Sequence, residues 1–202
     1  MQIKMQKKIL RRHALSIRRS LSKEQIKSKS EKIREKLFDL PIFKEAEVIL
    51  FYLSLPDEVQ TYEMVKDSLR IGKRVAVPVV NLEEKEIIPF ELKNSKFKLI
   101  PGPFGILQPD KDDCYPLLKE DIDLVIVPGI AFDSRGGRIG FGKGFYDRFL
   151  STLSDAGSVA LAFECQVFDK VPCDRHDVKV NFIITEKRVI RCYNIVGEKN
   201  VP

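Results

Sequence analysis

Six of the chain's eleven glycines fall between Gly129 and Gly144, and Arg135, Arg138 and Lys143 are interleaved with them. The preceding residues, Leu124-Val125-Ile126-Val127, form a short apolar run rich in β-branched side chains, as in a buried strand. The following residues, Phe145 to Leu150, read as the opening of a helix. A strand, a glycine loop with cations and a helix together suit a phosphate group. Glycine lets backbone N–H groups approach the anion, a helix N-terminus adds partial positive charge, and Lys or Arg adds full charge. A flexible connection would account for the glycines but not for the cations. The loop is not a Walker A sequence, because Gly144 follows Lys143. Nor does Gly140-x-Gly142-x-Gly144 have the spacing of a dinucleotide fingerprint.

At 202 residues the chain has the length of a single domain, expected here over 1–202, with basic helices over 1–40 and the phosphate unit over 123–150. Residues 1–36 hold 13 Lys/Arg against 3 Glu, so this segment carries +10 and the remainder −4 of a net +6. Basicity therefore belongs to one segment, which weakens the case for a nucleic-acid-binding domain surface. Four cysteines without a CxxC pair and only two histidines argue against a zinc site. No apolar run is long enough to cross a membrane and no apolar signal core opens the chain. A cytoplasmic protein, a monomer without nucleic-acid or membrane partners, is the expectation.

Residues 2–20 lack Pro, Gly and acidic residues. Ile3, Ile9, Leu10, Ala14, Ile17 and Leu21 predict a helical apolar stripe ringed by cations. Ser22-Lys23-Glu24-Gln25 has the form of a capping box, so a second helix is expected from Ser22, with Ile26, Ile33 and Leu37 on one face and Pro41 past its end. Strands are expected at 48–52, 74–79, 86–92, 159–163 and 180–184, a short helix at 61–71 closed by Gly72, and mostly irregular chain over the proline-rich 93–118. This alternation predicts an α/β fold: an open, mostly parallel sheet with helices on both faces and two N-terminal helices packed against it. Ligands bind such sheets beyond the C-terminal strand ends, where the 54–58 loop, the glycine loop and the 164–178 connection can meet.

Candidate chemistry is sparse. Asp147 is spaced to reach a metal on bound phosphates; a helix-start carboxylate or a partner for Arg148 fits the spacing equally. His176-Asp177 has the makeup of a catalytic pair or of an exposed loop. Glu58, after a strand, can bind a polar ring edge or simply face solvent.

The stretches Pro128-Gly129-Ile130-Ala131-Phe132-Asp133 and Gly137 to Arg148 resemble the signature of the 5-formyltetrahydrofolate cyclo-ligase family. Lys7-Lys8-Ile9-Leu10-Arg11 resembles its N-terminal K-x-x-L-R, Glu58 with Thr61 its E-x-x-T, and Gln166, Pro172, His176-Asp177 and Ile183-Ile184-Thr185 its closing pattern. Phe145 stands where the family often has Tyr, and Asn181 where Asp is common. The resemblance implies ATP-driven closure of 5-formyltetrahydrofolate to 5,10-methenyltetrahydrofolate, with ATP as co-substrate, Mg²⁺ as cofactor and a reduced folate as partner. It implies ATP contacts from Lys7, Lys8, Ile9, Leu10, Arg11 and Arg138 through Tyr146, a run that includes Ile139, Gly140, Phe141, Gly142, Lys143, Gly144 and Phe145. Arg138 and Lys143 would counter charge developing during phosphoryl transfer. Leu53, Glu58 and Phe141 to Phe145 would border the folate, and Asp147 and Asp177 would hold Mg²⁺. Two other readings are an ATP-binding relative acting on a different small substrate and a nucleic-acid module using the basic helices. The second lacks an aromatic stacking platform, since the first aromatic is Phe38.

Overall fold

The computed structural model describes residues 2–105 and 107–192. Its helices are α1 (Gln2–Arg19), α2 (Lys23–Asp39), α3 (Pro41–Glu45), α4 (Tyr62–Arg70) and α5 (Phe145–Leu150). Its strands are β1 (Val48–Leu50), β2 (Arg74–Asn81), β3 (Glu86–Leu92), β4 (Leu99–Pro101), β5 (Leu107–Pro109), β6 (Cys114–Pro116), β7 (Leu124–Val127), β8 (Ala131–Phe132), β9 (Arg138–Ile139), β10 (Gly157–Leu161), β11 (Phe182–Ile184) and β12 (Val189–Arg191).

Eight strands form one sheet in the order β12-β11-β10-β7-β1-β2-β3-β6. β11, β10, β7, β1 and β2 are parallel, and β12, β3 and β6 are antiparallel additions at the two edges. The chain leaves β1 for β2 on one side and later enters β7 on the other. The strand order therefore reverses between β1 and β7, and the loops after these two strands diverge around a crevice.

Alternation along the strands divides the core. Ile49, Leu124, Ile126, Val159 and Leu161 face α2, α3 and α4, which contribute Ile33, Leu37, Phe43 and Met64. Val48, Leu50, Val125, Val127 and Ala160 face Phe149 and Leu150 of α5, with Leu117, Ile122 and Val180 completing that side. Both sheet faces are apolar because both are covered, as parallel strands require. The second face is covered by one six-residue helix and by loop segments.

The capping box at α2 forms: the Ser22 hydroxyl accepts from the Gln25 amide and the Gln25 side chain accepts from Ser22 N–H. Gly72, with φ +86°, follows α4 as expected. Asn181 is spent on the sheet, its Oδ1 accepting from both Ser158 N and Ser158 Oγ at 2.8 Å.

Two expectations are corrected. The apolar stripe of α1 is buried only in part: Ala14 is buried and Leu10, Ile17 and Leu21 are half-buried, but Ile3 and Ile9 are 41% and 55% exposed. The face turned inward carries Lys7, Arg11, Ala14 and Arg18, spaced four, three and four apart. The proline-rich stretch expected to be mostly irregular holds three short strands, including β6, which joins the main sheet. Pairing with β3 overrides the weak local strand propensity there.

Candidate active site

The site is built on the loops that follow β1, β7 and β10. After β7 the chain does not run directly into a glycine loop and helix. It first makes the two-stranded ribbon β8–β9, and Arg138 sits on the return strand. Asp133 closes the ribbon's turn. Its Oδ1 accepts from the Arg135 and Gly137 amides, both at 3.0 Å, and its Oδ2 from Val171 N at 2.8 Å. Burial pushes the Asp133 carboxyl up, but hydrogen bonds from Val171, Arg135 and Gly137 outweigh it and hold it below the ordinary range. Gly136 adopts φ +81° at the turn, and a Cβ there would lie 2.5 Å from the Val180 carbonyl oxygen. The ribbon therefore has a fixed shape, and it presents Arg138 to the crevice.

Arg138 is buried. Its Nη2 donates to Asp147 Oδ1 at 2.7 Å and its Nη1 to the Pro128 carbonyl at 3.4 Å, while its Nε has no hydrogen-bond partner among the described residues. The Tyr146 hydroxyl is likewise buried and unpartnered among them. Burial, reinforced by the Glu58 charge and opposed by Arg138, raises the Tyr146 phenol above its ordinary range. It therefore stays protonated and can donate. The Arg138 guanidinium lies 6.0 Å from the centre of the Tyr146 ring, so two buried donors without partners among the described residues sit close together and mark a place for an acceptor-rich ligand.

The glycine loop proper, Gly140 to Gly144, is exposed at Phe141, Gly142 and Lys143 and half-buried from Gly144 to Asp147. Gly142 and Gly144 have φ +91° and +70°. The helix behind the loop spans six residues, so its dipole adds little. The cations come instead from outside: Arg11 Nε donates to the Gly140 carbonyl at 2.8 Å and fixes α1 to the loop. Lys8 and Arg11 line an open groove of about 610 Å³ along α1. Ile9 is exposed and Leu10 half-buried, packed beside Ala14, Ile130, Ala131 and Ile139.

Lys7 meets the carboxylate expected at the metal. Its Nζ lies 2.7 Å from Asp177 Oδ1 and 3.0 Å from Asp174 Oδ2. Burial lowers the Lys7 ammonium, but these bonds and charges outweigh it and raise it. Asp147 Oδ1 also accepts from Val178 N at 3.3 Å, which brings Asp147 against the segment that carries Asp177. Among the described residues no three His, Cys, Asp or Glu side chains gather as a metal-binding group. Two aspartates held by cations fit Mg²⁺ only in its usual phosphate-bridged form, in which one or two carboxylates suffice. His176 is exposed in a turn and makes no pair with Asp177.

Across the crevice, after β1, Leu53 and Glu58 are buried. Glu58 Oε2 accepts from Leu55 N at 3.0 Å, and its Oε1 has one long contact, 3.3 Å to Arg18 Nη1. Thr61 Oγ1 donates to the Tyr52 carbonyl at 2.6 Å and anchors the end of this loop. Gln166 Nε2 donates to the Gly129 and Ile130 carbonyls, both at 3.1 Å, joining the loop after β10 to the loop after β7. Two residues here were not singled out as site residues from the sequence: Arg18, which clamps Glu58, and Tyr52, which is buried beside it. Of these roles, that of Arg18 had a signal, its four-three-four spacing from Lys7, Arg11 and Ala14.

Comparison with known proteins agrees with this geometry. The model of the 5-formyltetrahydrofolate cyclo-ligase family matches residues 3–186. The 5-formyltetrahydrofolate cyclo-ligase of Mus musculus is 31% identical over 177 residues, 83% of this chain and 87% of that protein. The Escherichia coli K12 protein of the same name is 29% identical over 176 residues, covering 85% and 96%. The solved structure of Aquifex aeolicus 5,10-methenyltetrahydrofolate synthetase superposes with a TM-score of 0.81 at 34% identity, over 96% of each chain. With the family model spanning nearly the whole described chain, the protein belongs to the 5-formyltetrahydrofolate cyclo-ligase family.

Proposed function

We propose the following division of labour for the family's reaction, the ATP-dependent closure of 5-formyltetrahydrofolate to 5,10-methenyltetrahydrofolate with release of ADP and phosphate. The observation that carries it is the pair of buried donors, Arg138 Nε and Tyr146 Oη, that have no partner among the described residues, with the charge of the buried Glu58 carboxylate acting on Tyr146. One side of the crevice offers cations and backbone to phosphates, and the other offers a carboxylate to a ring with N–H donors.

The N5-formyl group is an amide, and its oxygen is a poor leaving group. The formyl oxygen attacks the γ-phosphorus as the bond to ADP breaks, leaving an iminium-like carbon that bears phosphate. N10 attacks that carbon and loses its proton, and the C–O bonding pair departs with inorganic phosphate. Such a transfer depends on positioning and charge neutralisation more than on a protein nucleophile. Arg138 and Lys143 supply charge to the transferring phosphoryl group, and Arg11 holds the loop that wraps it. Lys7 keeps Asp177 in place, and Asp147 and Asp177 would hold Mg²⁺, which neutralises β- and γ-phosphate charge when bound. Glu58 accepts from the donor edge of the pterin, beside Leu53 and Phe141.

The test is a rise in absorbance at the methenyl-folate band when the purified protein meets 5-formyltetrahydrofolate and Mg·ATP. A rise that needs both ATP and Mg²⁺ supports this reading, and ATP binding without any rise on a folate panel would assign the site to another small substrate. Glu58→Gln keeps the shape but loses the charge of the acceptor. Its expected effect is a folate KM about tenfold higher with the ATP KM unchanged, consistent with loss of a charge-assisted hydrogen bond. An unchanged folate KM would remove Glu58 from the pterin site.

A further inference from the structure

Arg18 lies on the buried face of α1, seven residues beyond Arg11 and outside the motifs that carry the family resemblance. It is 1% exposed. Its guanidinium makes a fork of contacts: Nη2 and Nε reach Asp57 Oδ2 at 2.9 and 3.2 Å, and Nη1 reaches Glu58 Oε1 at 3.3 Å and the Gly129 carbonyl at 3.5 Å. The ring of Phe141 lies 5.8 Å from its Cζ. One side chain thus touches the loop after β1, the loop after β7 and the glycine loop, the three walls of the crevice where the strand order reverses. Burying a guanidinium is costly unless it is paired, and a surface arginine on a basic helix would have sufficed for solubility.

We propose that Arg18 is the positioning residue for Glu58, holding its carboxylate charged and turned toward the folate while tying α1 to both loops. This rests on the reading of Glu58 as the pterin acceptor. The groups that face Glu58 are Arg18 from α1, Asp57 and Tyr52 from the loop after β1 and Tyr146 from α5. Burial pushes the Glu58 carboxyl up, Arg18 and the Leu55 N–H hold it down, and the Asp57 charge adds to the rise. Arg18 is therefore the only cation among these groups, and it also neutralises Asp57. Without it, burial and Asp57 would act on Glu58 unopposed by any charge. The carboxyl would then take up a proton nearer neutral pH and become a donor facing a donor edge.

The sign of the effect follows. Loss of Arg18 raises the Glu58 pKa further, so the harm to folate binding is greatest at low pH and recedes as rising pH ionises Glu58 again. Folate KM and kcat are measured between pH 6.5 and 9 at saturating Mg·ATP for wild type, Arg18→Gln, Arg18→Lys, Glu58→Gln and the Arg18→Gln/Glu58→Gln double variant. Arg18→Gln is expected to raise the folate KM about tenfold at pH 6.5, with the excess shrinking to within about threefold by pH 9. Arg18→Lys should lie between it and wild type, since an ammonium restores the charge but not the fork. In the Glu58→Gln background the Arg18 change should add less than about twofold, because its route to substrate is gone.

A pH-flat KM excess that multiplies with that of Glu58→Gln would mean a merely structural role and would overturn the proposal while leaving Glu58 at the pterin. A Glu58→Gln KM equal to wild type would instead overturn the pterin reading itself, and the proposal with it. Should Arg18→Gln fail to fold by circular dichroism, Arg18→Lys decides alone: a smaller KM excess of the same pH slope supports the proposal, and a flat one overturns it.

Discussion

Replacing Arg138 by alanine is expected to lower kcat by about 10²–10³-fold while the folate KM moves by less than about threefold. The magnitude is that of removing one preorganised donor from a site of developing charge. The division between kcat and KM follows from the geometry. Arg138 spends one nitrogen on Asp147 and one weakly on the Pro128 carbonyl, and its Nε remains for a ligand. It lies on β9, on the glycine-ribbon side of the crevice, whereas Glu58 follows β1 on the other side. Arg138→Lys should recover part of the loss, because charge returns but the planar guanidinium that bonds Asp147 and Pro128 and leaves Nε for a ligand does not. Steady-state kinetics with each substrate varied in turn measures both constants. A kcat within threefold of wild type would sink the assignment of this ribbon to the phosphates.

The second large effect concerns the ribbon's shape. Gly136→Ala should cost about 3 kcal/mol of stability, with a Tm lower by about 6–12 °C for a chain of this size. Two penalties combine. A side chain at φ +81° is disfavoured by about 1–2 kcal/mol, and a Cβ would stand 2.5 Å from the Val180 carbonyl oxygen, which is backbone and cannot turn aside. Val180 also donates its own N–H to the Gly136 carbonyl at 3.1 Å, so relief by separation would break that bond. Thermal unfolding followed by circular dichroism gives the number, and a Tm within 2 °C of wild type would contradict the argument. Gly72→Ala is a natural contrast. It has positive φ but no atom within 4 Å of the new Cβ, so it isolates the backbone penalty from the clash.

Much of this could be read from the residues. The runs around Val48, Val75, Val125, Val159 and Ile183 are apolar on both faces, a pattern that belongs to covered parallel strands, and they form the centre of the sheet. Ser22 with Gln25 fixed the start of α2 because a capping box is a local interaction. The clustered glycines and cations pointed to a loop shaped for an anion, and the order of the weaker motifs pointed to the family.

What could not be read was non-local. The residues of β6 and β12 have no strand pattern strong enough to stand alone; they are strands because β3 and β11 offer them an open edge. The ribbon β8–β9 is two residues per strand and owes its form to Asp133, whose partner Val171 is remote in sequence. Apolar content misdirected the reading of α1. Ile3 and Ile9 suggested the inward face, but the domain offers that helix carboxylates and a carbonyl at Asp57, Glu58, Asp174, Asp177 and Gly140. Cations therefore turn inward. No periodicity of hydrophobicity can reveal a face selected by charge.

The packing of α1 has a practical consequence. Ala14 belongs to a small cluster with Ile130, Ala131, Ile139 and Val171, separate from the two cores on the sheet faces. Free energies of local opening follow such divisions, and a satellite cluster with few apolar members opens more easily than the sheet. When it does, Lys7, Arg11 and Arg18 move away from Asp177, Gly140 and Glu58 together, with the strands still paired. On warming, activity is therefore expected to fall at a lower temperature than the circular-dichroism signal of the sheet, at a point set by one small patch beneath the first helix.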